Sequence, residues 1–236
     1  MPHQQVLQVC AYLVGLPLEL LVIAALLRGE YRRYPFIFIY AVADLLTTIL
    51  EIQPAITSYT TASPADRKYF ALLFWINERI MQLLVFLVII SLVYKAAEHM
   101  APRRTILAGI ICATVLVAGV SFLIHYYDPH LPPGKYRYLT PWTRDLNFYA
   151  AILAMGLWVL LIGSRQKDRK LLLITGGLGL QLTGGAIGQA LRDMSPTIVA
   201  AGSDFLMLTS VARIYIWWQA FRVKPQTPPH GNGSHK

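Results

Sequence analysis

The chain has 236 residues, of which 56% are hydrophobic and only 14% charged, and its formal net charge is +9. Soluble domains carry about 25% charged residues, so this composition excludes an ordinary water-soluble domain. Several apolar runs approach the roughly 20 residues that a bilayer core demands, which points to an all-α, polytopic membrane protein. The runs are continuous rather than alternating, which excludes an outer-membrane barrel.

A basic chain in water would point to nucleic acid. Here Lys and Arg cluster in short loops between apolar runs, where they set topology and meet anionic lipid headgroups, so no nucleic-acid partner is expected. Cys10 and Cys112 both fall in apolar segments. They make neither a disulfide framework nor a paired-cysteine metal motif.

The first apolar segment covers residues 6–27. No basic stretch precedes it, and Arg28, Arg32 and Arg33 follow. It reads as a retained helix with its N-terminus outside rather than a signal peptide. Pro17 bends it and Glu19 lies within it. The second segment, 34–53, carries Pro35 in its first turn, Asp44 near its middle and Glu51 near its end. Pro54 is expected to mark its exit into a polar loop over 54–68. The third segment, 69–94, is interrupted by Asn77, Glu78, Arg79 and Gln82.

The fourth segment, 105–126, is slimmed by Gly109, Ala113, Ala118 and Gly119. A proline-rich loop over 127–143 leads to the fifth apolar segment, 146–162, whose helix can start as early as Pro141. The sixth, 171–191, is glycine-rich and holds the GxxxG pair Gly184 and Gly188. Its glycines read first as close packing against a neighbour, and second as a flexible helix beside a site. The seventh, 196–220, contains Asp204 and Arg213 and ends at Trp217 and Trp218.

These segments predict one domain over 1–223, a transmembrane bundle of seven helices, and a disordered cytoplasmic tail over 224–236. The clusters Arg28–Arg33, Lys95–Arg104, Arg165–Lys170 and Arg222–Lys236 alternate with less basic loops. The positive-inside rule then places the N-terminus outside and the C-terminus in the cytoplasm. Sliding Arg33 onto Lys170 brings Asp44 onto Gln181. That register would give a three-plus-one-plus-three arrangement with parallel halves.

At about 1.5 Å rise per residue, Asp44, Glu78, Arg79 and Asp204 all come near the bilayer centre, with Gln181 in the same layer. Glu19 and Arg213 lie together nearer the cytoplasmic face. The expected pairings are Arg79 with Asp44 or Asp204, and Arg213 with Glu19. Intramembrane ionisable groups mark substrate, ion or proton paths, although closed structural pairs would account for them too. Gln189 reads as packing. Glu78 and Arg79 project about 100° apart and cannot serve one narrow face.

His125, Asp128 and His130 are a weak candidate metal set at the outer face. The histidines are badly spaced for two-histidine haem ligation. A retinal site is excluded because the seventh helix has Arg213 and no lysine. No phosphate loop, nucleotide fingerprint or Ser-His-Asp ordering stands out, so no cofactor is expected.

Tyr34-Pro35-Phe36 and Trp75-Ile76-Asn77-Glu78 resemble bacterial seven-helix integral membrane proteins that have no defined function. The resemblance covers the first half of the chain and implies a cell inner (plasma) membrane location, with no activity to transfer. Three functions follow as expectations. The first is movement of a small molecule or ion along Asp44, Glu78, Arg79, Gln181 and Asp204. The second is ligand sensing through a separate membrane or cytoplasmic protein partner, and the third is a membrane-embedded enzyme. The lipid bilayer is the expected surrounding.

Overall fold

The computed structural model of the chain describes residues 2–58, 64–97, 103–128, 139–163, 168–194 and 199–222. Among them are seven α-helices and no strand: α1 (Pro2–Leu27), α2 (Pro35–Ser58), α3 (Pro64–Ala96), α4 (Arg103–Tyr126), α5 (Leu139–Gly163), α6 (Arg169–Met194) and α7 (Val199–Arg222). Six carry apolar stretches long enough to cross a bilayer: Val9–Leu27, Ile76–Ala96, Arg104–Tyr126, Pro141–Gly163, Arg169–Leu191 and Val199–Arg222. The apolar part of α2, Pro35–Leu50, is shorter. Lipid offers backbone groups no hydrogen bonds, so segments of this kind are satisfied only as helices that close their own ladders. The chain is a multi-pass integral membrane protein.

Several helix ends fall outside the expected bounds. α2 runs through Pro54 to Ser58, and α3 begins at Pro64, so most of the expected 54–68 loop is helical. Pro64 suits a first helical position, where its missing N–H has no intrahelical partner to lose. Pro141 sits in the first turn of α5, which starts at Leu139, within one turn of the start that Pro141 marks in the sequence. The tail over 224–236 lies outside the described residues.

α1 and α2 are joined by Gly29 and a single 3-10 turn, Glu30–Arg32. Gly29 has φ 123°, a left-handed conformation that any side chain would strain. The turn closes through the backbone N–H groups of Arg33 and Tyr34, which both donate to the Glu30 carbonyl at 3.0 and 2.9 Å.

The helix neighbours define a ring. α1 packs on α2, α2 on α3, α3 on α5, α5 on α6, α6 on α7, and α7 back on α1. α4 stands outside the ring, against α3 and α5. Exchanging α1, α2 and α3 with α5, α6 and α7 leaves this order unchanged. This adjacency is compatible with two three-helix halves joined through a peripheral α4. Lipid-facing side chains dominate that helix, among them Val115, Leu116, Val120, Leu123 and Ile124.

The tightest seam is α6 against α7. A Cβ on Gly184 would lie 2.4 Å from the Thr209 side chain, and one on Gly188 would lie 2.9 Å from the Gly202 carbonyl oxygen. The glycines of α6 serve close packing, which lipid-embedded helices favour because no hydrophobic effect drives them together. The apolar core fills the ring toward the end bearing Arg33, Lys95 and Lys170, here called the basic end. Leu26, Ile37, Val88, Ile89, Leu92, Ile174 and Leu178 are among its fully buried members.

Candidate functional site

A cavity of about 440 Å³ opens inside the ring, in the half of the bundle away from the basic end. Its walls are helical stripes. α2 contributes Tyr40, Asp44, Thr47 and Thr48; α3 contributes Asn77, Glu78, Met81, Gln82 and Val85. α6 contributes Gln181, Leu182, Gly185 and Gln189; α7 contributes Leu206, Thr209 and Ser210; α5 adds Asn147. Residues three, four and seven apart share one helix face, so each stripe follows from the 3.6-residue period. Twelve of the seventeen lining residues are polar, in a bundle whose outer surface is apolar.

Asp44 forms an ion pair with Arg213, whose Nη2 donates to Oδ2 of the carboxylate. Arg213 is 1% exposed, and its guanidinium lies 5.1 Å from the ring centres of both Tyr40 and Trp217. Those rings hold the guanidinium and aim it at Asp44, one helical turn beyond Tyr40 on α2. The Trp217 indole is itself anchored, donating to the Ile174 carbonyl at 3.0 Å. The expected Arg213–Glu19 pairing is therefore replaced by Arg213–Asp44. Glu19 is buried on α1, within electrostatic range of both Asp44 and Arg213.

With Asp44 taken by Arg213, Arg79 packs on an aromatic ring. Its guanidinium lies 4.9 Å from the centre of the Trp142 ring on α5, at the α3–α5 seam. Trp142 in turn donates its indole N–H to the Ala118 carbonyl of α4 at 3.0 Å. The roughly 100° between adjacent helical positions is the reason: Glu78 faces the cavity, so Arg79 turns outward. Asp204 is half-buried on α7 and does not line the cavity. Of the five path residues read from the sequence, Asp44, Glu78 and Gln181 meet in one cavity. Tyr40 links two of the stripes, its hydroxyl lying 3.4 Å from both amide atoms of Gln181.

Sequence reading missed Thr47, Thr48, Asn147, Thr209 and Ser210, and it took Gln189 for packing. The available signal was the stripe itself, such as Gln181, Gly185 and Gln189 one turn apart on α6.

Below the cavity the bundle is closed. Tyr40 packs edge-on against Trp217 at 5.7 Å, and Tyr34 against Phe221 at 5.9 Å. Beyond them, Lys170 pairs with Glu30 at 2.6 Å and Arg33 with Asp168 at 3.6 Å. Lys95 donates to the Arg33 carbonyl and lies 3.8 Å from the Tyr34 ring centre.

At the opposite end, Nε2 of His125 lies 2.9 Å from Oδ2 of Asp145, which also accepts from the Ser121 hydroxyl at 2.8 Å. Serine and histidine both meet the carboxylate. A nucleophile needs its base within hydrogen-bond reach, with the base held by a third group, and this arrangement lacks that order. His125 thus bonds a carboxylate that the candidate metal set did not include. Asp128 is described, whereas His130 lies outside the described residues. Among the described residues no group of three His, Cys, Asp or Glu could hold a metal ion.

No protein-family model, curated protein or solved structure matches the chain.

Proposed function

We propose that this protein moves a small polar molecule across the membrane through the cavity between its two halves. The observation that carries the reading is the polar lining itself, held inside a bundle of lipid-length apolar helices. Buried polar groups without a structural role are costly in lipid and concentrate along substrate paths. Glu78 and Gln181 contact the solute, and Asp44 joins them while fixed by Arg213. Arg79 positions α3 through Trp142, and Asp204 acts on the wall of α7 rather than in the cavity. The two-half ring supports this reading, because a site between repeats can be exposed to either side by rocking one half against the other. On this account the closed basic end is the cytoplasmic gate of a bacterial inner-membrane protein, with the N-terminus outside.

The test is solute entry into liposomes carrying the purified chain. Entry of a small polar solute is expected to exceed that into protein-free liposomes, and Glu78→Gln or Gln181→Leu is expected to slow it several-fold. Accelerated entry untouched by both substitutions would remove the site. No acceleration across neutral, cationic and anionic solutes would remove transport.

A further inference from the structure

Two carboxamides of the cavity wall point to the chemistry of its occupant. Gln82 is 8% exposed, and its Nε2 is buried with no hydrogen-bond partner. Across the cavity, Oε1 of Gln189 is likewise buried and unpartnered. Buried polar groups in folded proteins are nearly always paired, so an orphan donor on α3 and an orphan acceptor on α6 define places for a ligand's acceptor and donor. An amide carries both functions, so each can serve either.

The rest of the wall has the same mixed character. The Thr47 hydroxyl donates to the Asp44 carbonyl at 2.8 Å, and the Thr209 hydroxyl to the Phe205 carbonyl at 3.1 Å. Both therefore turn lone pairs, not protons, toward further partners. Asn77 and Asn147 add carboxamides that offer donors and acceptors together. Among the described residues, no Lys, Arg or His lines the cavity, and the Asp44 charge is met by Arg213.

Each alternative ligand class leaves part of this wall unused. An anion finds no cation. An apolar molecule strands the carboxamides. A compact cation can be met by carboxamide and hydroxyl oxygens but leaves the amide N–H groups without an acceptor. A neutral molecule with several hydroxyls suits every wall, because each hydroxyl both donates and accepts. The polar ladder from Gln181 to Gln189 spans about 12 Å at helical rise, room for several hydroxyls in a row. The cavity volume, about 440 Å³, falls in the range of small-molecule sites.

We propose that the cavity binds a neutral polyhydroxylated molecule of sugar or linear-polyol size, held between Gln82 of α3 and Gln189 of α6. The proposal rests on the cavity being the solute site.

The test is equilibrium binding to the purified full chain in lipid discs, with four radiolabelled probes: sorbitol, glucose, putrescine and inorganic phosphate. Saturable binding of sorbitol or glucose is expected, weakened about tenfold or more in Gln82→Leu and in Gln189→Leu. Gln82→Glu keeps the shape and the acceptors but loses the N–H donors. It is expected to weaken binding as well, and it serves if the leucine variants fail to fold. Binding of putrescine or phosphate without either polyol would overturn the ligand class while leaving the cavity as a site. Binding of none of the four to folded protein would overturn both. Polyol binding unchanged in every variant would place it elsewhere and overturn the proposal.

Discussion

Arg213 is the residue on which the site turns. A guanidinium cannot shed its proton, so burying it in a lipid-embedded bundle demands a fixed counter-charge. Asp44 supplies that charge, and the Tyr40 and Trp217 rings supply the rest of the shell. Removing one partner of a buried pair costs about 3–5 kcal/mol, because the other charge is left uncompensated. Asp44→Ala is therefore expected to lower the melting temperature strongly, read by tryptophan fluorescence in detergent. The double variant Asp44→Ala/Arg213→Met should recover much of the loss. A single Asp44→Ala variant that melts like the parent would contradict the pairing. Arg79 packs on the Trp142 ring, so Trp142→Leu should cost about 0.5–2 kcal/mol in the same assay, with no change expected from Trp142→Phe beyond part of that loss. At this scale the sequence was half legible. The charges are conspicuous in apolar runs, which is why Asp44 and Glu78 were found. The partner of each depends on how far its helix is rotated, and one sequence does not carry that angle. Depth alone therefore pairs Arg213 with Glu19, and in the sequence the threonines and serine of the wall look like packing residues.

The helices divide by their glycines. On α6, added Cβ atoms at Gly184 and Gly188 would press on Thr209, Leu206 and the Gly202 backbone. On α4 and α5, Cβ atoms at Gly119 and Gly156 would meet nothing within 4 Å. Gly188→Ala is expected to destabilise by about 1–3 kcal/mol, the usual range for overpacking, since the nearest backbone oxygen cannot swing away. Gly119→Ala is expected to be neutral or to stabilise by up to about 1 kcal/mol through helix propensity. Thermal melts of both variants check this, and equal effects would contradict the packing seam. Helix existence and order were legible because the apolar runs are long. The ends were less so: Pro54 reads as an exit yet lies within α2, and Pro64 and Pro141 open helices earlier than the apolar pattern does. Hydropathy marks where lipid begins, whereas the helical ladder continues into the interface.

At the scale of the whole molecule, the ring leaves a polar cavity that the Tyr40–Trp217 and Tyr34–Phe221 contacts separate from the basic end. The matching basic joints at Arg33 and Lys170 were legible in the sequence, and the helix adjacency is compatible with the three-plus-one-plus-three order they suggest. What those joints do was not legible, because Glu30–Lys170 and Arg33–Asp168 link loops about 140 residues apart. If these ion pairs close a gate, then Cys at both 30 and 170, in a Cys10→Ser/Cys112→Ser background, should cross-link under oxidation and stop solute entry. Reduction should restore it, and unaltered entry in cross-linked protein would contradict gating at this end. The most direct measurement is cysteine labelling in liposomes by a small, hydrophilic thiol reagent, in the same cysteine-free background. Gln82→Cys and Gln189→Cys are predicted to label and to be protected by sorbitol, while Leu116→Cys on the lipid face of α4 stays unlabelled. Gln82→Cys and Gln189→Cys both as unreactive as Leu116→Cys, in folded protein, would contradict a water-accessible site between the halves.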